Sequence, residues 1–186
     1  MHTLLRRTLA AALLAGTALL ASALPLKTDP AHSSVSAAFT QMDVPVESNF
    51  KRFAAQIDYD AAHPEKTTAR VDIDTASLDL GTAEYNKEIA GKTWFDSARF
   101  PKATFVSTSV KPAGAGKLNV TGKLSIKGKT ADVAFPVTVT QSGASQVFQG
   151  QVAIKRLAFD IGEGEWKDTS LVADQVIIKF RITTTH

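Results

Sequence analysis

From Ser34 to the end of the chain, apolar and polar residues alternate with a period of two. Val35, Ala37 and Phe39 are interleaved with Ser34, Ser36 and Thr40. Phe53, Ala55, Ile57 and Tyr59 follow, then Ala69, Val71 and Ile73 set against Arg70, Asp72 and Asp74. Farther on, Leu118, Val120, Leu124 and Ile126 alternate with Asn119, Thr121, Lys123 and Ser125. The series continues with Val133, Phe135, Val137 and Val139, then Phe148, Val152 and Ile154, and ends with Val176, Ile178, Phe180 and Ile182. Successive side chains of a strand point to opposite faces, so this pattern predicts strands with one wet and one buried face. With one more strand around Phe105, the count is about eight. Lys127-Gly128, Ser142-Gly143, Pro112 to Gly116 and Gly162-Glu163-Gly164 supply turns between them.

Three places depart from the alternation. Between Thr82 and Ala90 the spacing predicts the one short helix, with Thr82 as cap, Glu84 in the first turn, Tyr85 and Ile89 on one face, and Gly91 as the stop. From Lys92 to Ser109, four of the twelve Phe and Trp residues are packed together: Trp94, Phe95, Phe100 and Phe105. Pro101 cuts that span, so an aromatic turn over Trp94–Phe100 leads into a strand that starts near Ala103, a plausible plug or gate for whatever the strands enclose. Finally, Leu157, Phe159 and Ile161 take the opposite parity to Val152 and Ile154, which predicts a bulge or sharp bend near Lys155-Arg156. Pro136 falls on the polar parity of its strand, an outer or edge position.

Eight sequential antiparallel strands with short turns close most naturally into a barrel, either filled by its own side chains or holding one small ligand. A two-sheet sandwich shows the same alternation. The expectation is an all-β, eight-stranded antiparallel barrel over residues 24–186, with one short helix between the third and fourth of these strands.

Residues 1–23 read as an export signal: Arg6-Arg7, the apolar run Leu9 to Leu20, then the small residues Ala21-Ser22-Ala23. The run is short for a membrane span. The expected location is the periplasm, or outside the cell. The chain has 21 basic and 18 acidic residues, and removing Arg6 and Arg7 leaves 19 against 18. Such a balance gives no basic face for nucleic acid. Cysteine is absent, so disulfides, thiolate metal sites and thiol catalysis are excluded. Stability must come from a single core, for which the length suffices.

Candidate chemistry is sparse. His32-Ser33 is a tempting pair, but neighbours on a strand face opposite ways and cannot act as base and nucleophile there. Asp29-x-x-His32-Ser33 reads instead as a turn feeding the first strand. His63 and His186 are isolated, and no His/Asp/Glu spacing resembles a metal site. Glu163, Glu165 and Asp168 read as a solvated loop, not a spaced set of cation ligands. We therefore expect no catalytic residue, no metal and no cofactor.

Several segments together resemble the YceI family. Asp29-x-x-His32-Ser33 is followed by Phe50-x-x-Phe53 running to Ile57-Asp58, then by Trp94-Phe95-Asp96 and Phe100-Pro101-x-x-x-Phe105. Val120-x-Gly122-x-Leu124-x-Ile126-x-Gly128-x-Thr130 is similar to the family's central hairpin, and Arg156-x-x-Phe159-x-Ile161-Gly162 to its late strand. Ser48-Asn49 stands where members commonly carry a glycine. The resemblance implies a lipocalin-like barrel with an apolar tunnel for a polyisoprenoid, such as a prenyl quinone or a related lipid. It also implies a periplasmic or secreted setting, with a membrane b-type cytochrome as a possible partner. The alternatives are a non-catalytic partner module, with or without a homodimer, and, behind it, a lipid-modifying enzyme.

Physical chemistry is compatible with a lipid. A buried CH₂ contributes ~0.8 kcal/mol and a prenyl unit on the order of 3 kcal/mol, so a few units give micromolar affinity without hydrogen bonds. The inward parity supplies the expected lining: Phe39, Phe53, Ile57, Val71, Ile73, Phe105, Leu124, Phe135, Phe148, Ile154 and Phe180, with Trp94, Phe95 and Trp166 as gate candidates. Each is equally readable as ordinary core.

Overall fold

The computed structural model describes residues 27–143 and 145–185, so the export segment read over residues 1–23 lies outside the described residues. The strands are β1 (Lys27–Thr28), β2 (Ser34–Gln41), β3 (Val44–Asn49), β4 (Phe53–Asp58) and β5 (Thr68–Asp74), then β6 (Lys102–Pro112), β7 (Lys117–Ile126), β8 (Lys129–Ser142), β9 (Ser145–Lys155) and β10 (Gln175–Thr185). All pairings are antiparallel, in the order β3-β2-β10-β9-β8-β7-β6-β5-β4, with β1 beside β10. A single curled sheet thus replaces the sandwich alternative.

The count is ten, not eight. The two additions are the two-residue β1 and β3, whose Pro45 and weak apolar content hide it in the sequence. Proline is tolerated there because β3 ends the path and needs a ladder on only one side. Neither Ser48 nor Asn49 has a positive φ, so the position that is commonly glycine needs none here.

The two ends of the path, β3 and β4, share no ladder. Phe50 bridges to Leu78, Lys51 N donates to Ser77 O (2.9 Å), and Asp79 N donates to Asn49 O (3.0 Å). Thr28 Oγ1 donates to Ala55 O, tying β1 to β4. The barrel is therefore half closed, with an irregular seam.

The helix α1 (Ala83–Ile89) forms where the spacing predicts it, between β5 and β6. Thr82 caps it by accepting from Tyr85 N at 3.2 Å. Near Lys155 the predicted break is a sharp bend: β9 ends and Arg156–Phe159 form a 3-10 turn, closed by Asp160 at φ 54°. A bulge that the alternation did not reveal shifts β6 against β7 between Ser107 and Ser109. Opposite it stands Gly122, where a Cβ would lie 2.4 Å from the Phe105 ring and from Val106 O. Only glycine lets that ring lie against the strand. Pro136 is on the outer face but on an interior strand; the β8–β9 ladder starts at Val137, one residue beyond it.

Candidate functional site: an unfilled apolar tunnel

The inward faces of the strands meet around a cavity of about 460 Å³. It runs along the strands, touching β2 from Val35 to Gln41, β7 from Leu118 to Ile126 and β10 from Val176 to Ile182. At a rise of about 3.4 Å per residue, the eight-residue steps of β7 span roughly 27 Å. The volume lies within the usual range for small-molecule pockets, about 300–1,000 Å³. Aromatic pairs divide the wall without filling it: Phe105–Phe135 at 5.3 Å between centroids and Phe135–Phe180 at 5.6 Å.

Thirteen of the fourteen residues singled out from the sequence line this space. Phe39, Ile57, Val71, Ile73, Phe105, Leu124, Phe135, Phe148, Ile154 and Phe180 come from the strands, and Trp94, Phe95 and Trp166 from the loops. Phe53 does not. It starts β4 at the seam and faces a separate shallow groove beside Ser33, Asn49 and Arg52, because the chain turns between β3 and β4 before the barrel wall resumes.

The expected gate is a closed end. Trp94 and Phe95 are buried, Trp94 packs on Trp166 at 5.3 Å, and Phe95 meets Phe50 edge-on at 6.2 Å. The opposite end is shut by Thr67, Val110, Leu118, Phe148 and Ile182, all buried. The opening is lateral. The exposed lining residues are Tyr85 and Glu88 on α1, joined by partly exposed Gln41 and Val46 of the β2–β3 hairpin. Parity could have flagged Val46 only if β3 had been seen. Tyr85 was legible as a helix face but not as a rim.

Arg156 is singled out in the sequence only as part of a motif and a bend, and its place at the site was not foreseen. It is 2% exposed, lines the tunnel, and sits 5.8 Å from the Trp94 ring. Its guanidinium donates to five backbone carbonyls: Ala173 through Nε, Ile161 and Gly162 through Nη1, and Trp166 and Val172 through Nη2. These use all five of its N–H groups. Burial pushes its pKa down, opposed by the nearby Asp174 carboxylate. Gly162, at φ 83°, leaves room for it; a Cβ there would fall 2.1 Å from Nη1. Lys127 plays a parallel part, with Nζ donating to Lys92 O, Asp160 O and Glu163 Oε2 within 2.9 Å. Together the two cations fasten the loops that carry Trp94 and Trp166.

His32 and Asp29 do touch, with Nδ1 to Oδ2 at 2.7 Å, and that contact holds the Asp29 carboxyl below its usual pKa. Asp29 also caps the 3-10 turn Pro30–His32, and the Ser33 hydroxyl donates to Asp29 O. The segment is a turn, as its spacing indicates, and none of its residues reaches the tunnel. Glu163 is taken up by Lys127, and Asp168 accepts from Ser170; among the described residues no His/Asp/Glu cluster has metal-site geometry.

The YceI-like domain family matches residues 26–184. A UPF0312 protein of Shewanella putrefaciens is 33% identical over 141 residues, covering 75% of this chain and 74% of that protein. The crystal structure of Burkholderia cenocepacia BcnA superposes with a TM-score of 0.83 at 54% identity, over 86% of this chain and 100% of BcnA. A domain from Saccharophagus degradans described as polyisoprenoid-binding has a TM-score of 0.66 at 17% identity, over 87% and 97% of the two chains; that likeness is one of fold.

Proposed function

Because this chain belongs to the YceI-like family, we propose that it is a non-catalytic carrier that holds a polyisoprenoid or similar long-chain lipid, a prenyl quinone included, inside the barrel. The carrying observation is the tunnel: long, apolar on nearly every side, and left empty by the chain's own side groups. A packed interior would gain dispersion and transfer energy from closing that space, so an open one costs stability and calls for an occupant. The few polar lining groups, Gln41, Glu88, Arg156, Thr104 and Thr67, are too scattered to recognise a compact polar substrate. A hydrocarbon chain needs no partner for hydrogen bonds and gains with each buried methylene. Gln41 and Glu88 border the opening, which suits an orientation with the chain inside and a polar head at the rim.

Export to the periplasm, with cargo exchanged at a membrane, completes the reading; a b-type cytochrome is a chemically suited recipient for a quinone. The described residues bring no nucleophile and base together in the tunnel, which favours carriage over turnover. The test is mass spectrometry of an organic extract of the purified protein, followed by uptake of added prenyl quinone. A prenyl or other long-chain species in the extract, or saturable uptake, is expected. No extractable lipid together with no uptake overturns the reading.

A further inference from the structure

The rim of the lateral opening is more apolar than a free surface needs to be. Among the described residues, four large hydrophobic side chains are strongly exposed: Met42 (60%), Val44 (60%), Tyr85 (56%) and Val106 (39%). The first three border the opening. Tyr85 itself lines the tunnel, and Val44 pairs directly with Gln41, another lining residue, two positions before the lining residue Val46. The exposed patch is therefore the outward continuation of the tunnel wall. Val106 lies apart, on the outer face of β6.

Met42 is the unusual member. It occupies the two-residue turn between β2 and β3 with φ 46°, followed by Asp43 at φ 62°. Such a turn favours Asn and Gly, because other side chains crowd the backbone in the left-handed region. A methionine there is unfavourable for the backbone and for hydration alike, and nothing in the fold repays it. The tip is also held firmly: Met42 N donates to Leu171 O at 2.9 Å, Ala173 N donates to Thr40 O at 2.9 Å, and Gln41 bridges to Val172. The exposed side chains thus stand on a fixed main-chain platform.

We infer that this rim is a membrane-docking surface, in which Met42, Val44 and Tyr85 enter the interfacial layer of a neutral phospholipid bilayer while cargo passes through the lateral opening. The inference rests on the carrier reading. Each methylene of a lipid chain lowers its escape into water about fourfold, so a long chain does not cross water unaided at a useful rate. Apolar contact at the mouth removes that step. The charged residues around the rim, Asp43, Glu84, Lys87 and Glu88, are of mixed sign with no basic cluster, which suits neutral rather than anionic lipid.

The experiment uses the purified protein and phosphatidylcholine vesicles carrying a prenyl quinone. Co-sedimentation and the rate of uptake are measured for the wild type and for Met42→Asn/Val44→Thr. Asparagine suits the left-handed turn and threonine suits a strand, so the variant keeps the fold; farnesol binding followed by tryptophan fluorescence checks the tunnel separately. The expected result is a loss of roughly tenfold in vesicle binding per side chain, about 100-fold for the pair, with uptake slowed in step and farnesol affinity unchanged within twofold. Unaltered uptake from vesicles, or a wild type that never co-sediments, overturns docking while farnesol binding leaves the carrier reading standing. A variant that turns a dimer into a monomer without slowing uptake also overturns it, by assigning the rim to a second copy. Loss of farnesol binding in the wild type removes the carrier reading instead, and docking with it.

Discussion

Of the three alanines that line the tunnel, Ala37 on β2, Ala69 on β5 and Ala103 on β6, the first two stand on different strands where a bulkier residue would narrow it. Replacing both with isoleucine adds three carbons at each site. In a packed core, such additions cost about 1–3 kcal/mol each. In an unfilled tunnel the sign reverses. Six extra carbons at ~0.8 kcal/mol give about 5 kcal/mol, and fixing each isoleucine rotamer takes back about 0.5–1 kcal/mol. A net gain of about 3 kcal/mol raises the melting temperature of a chain this size by roughly 6–12 °C. The same six carbons occupy the room of about one prenyl unit, so the cargo loses on the order of 3 kcal/mol, a weakening of about 100-fold. The Ala37→Ile/Ala69→Ile protein is thus expected to melt higher when stripped of lipid and to bind prenyl quinone more weakly. Calorimetry of the delipidated protein and equilibrium titration with the quinone read the two effects separately. A melting temperature several degrees lower would refute the unfilled tunnel; a higher one with unchanged quinone affinity would put the cargo elsewhere.

Two further outcomes follow from the closed end and from the seam. Arg156→Lys keeps the charge but offers three N–H groups to five carbonyls, and each buried carbonyl left without a donor costs about 1–3 kcal/mol. A drop near 10 °C is expected on melting, with Arg156→Met worse and cut by protease within residues 160–174; a lysine variant within 2–3 °C of wild type would show that the cage does not hold the loop. At the seam, Lys51 and Asn86 hold Asp79 at a pKa of about 2. A folded pKa below the unfolded value, about 3.9, stabilises the fold above pH 3.9, and that contribution is lost as the pH falls towards 2. Melting curves of wild type and Asp79→Asn should therefore differ above pH 4 and converge near pH 2; a gap that stays constant over this range would mean the carboxylate's charge is not what matters.

Period-two alternation was enough to find seven of the ten strands and the residues that face inward, because a pleated strand leaves a direct trace in the order of its residues; an eighth, β6, was placed by Pro101 and the aromatic turn before it. It failed at β3, where Val44 and Val46 are the only apolar residues of their parity and Pro45 argues against a strand, on an edge that is only half committed to the sheet. It misjudged Phe53 for a related reason: parity says which side a residue faces but not whether the wall behind it is continuous, and at the seam it is not. Whether the inward face is a core or a tunnel was not legible in the alternation; only the family resemblance implied a tunnel. Val120 or Phe135 reads the same in both, and the difference lies in the distance across the barrel, which no local pattern records.

Arg156 stands out in the sequence as part of a motif and beside a bend, but its role could not be read, and the reason bears on how the end of the tunnel is closed. Its partners are five main-chain carbonyls of residues 161–173, which any sequence would supply, so no complementary side chain marks it. Those carbonyls lie outside the regular strands, in turns, 3-10 segments and the stretch at Val172–Ala173 that only touches the end of β2 through the Gln41–Val172 bridge. In a filled barrel, side chains packed beneath such a loop would hold it down. Here Phe159, Ile161 and Val172 join the core, but the loop's main-chain carbonyls still need donors, because polar groups buried without partners would open the end to water. One guanidinium and the Lys127 ammonium supply those donors and add to the packing of the loop. The two cations thus close this end of the barrel largely by hydrogen bonds to the backbone, and a planar five-donor fork reaches more carbonyls from one position than any other side chain.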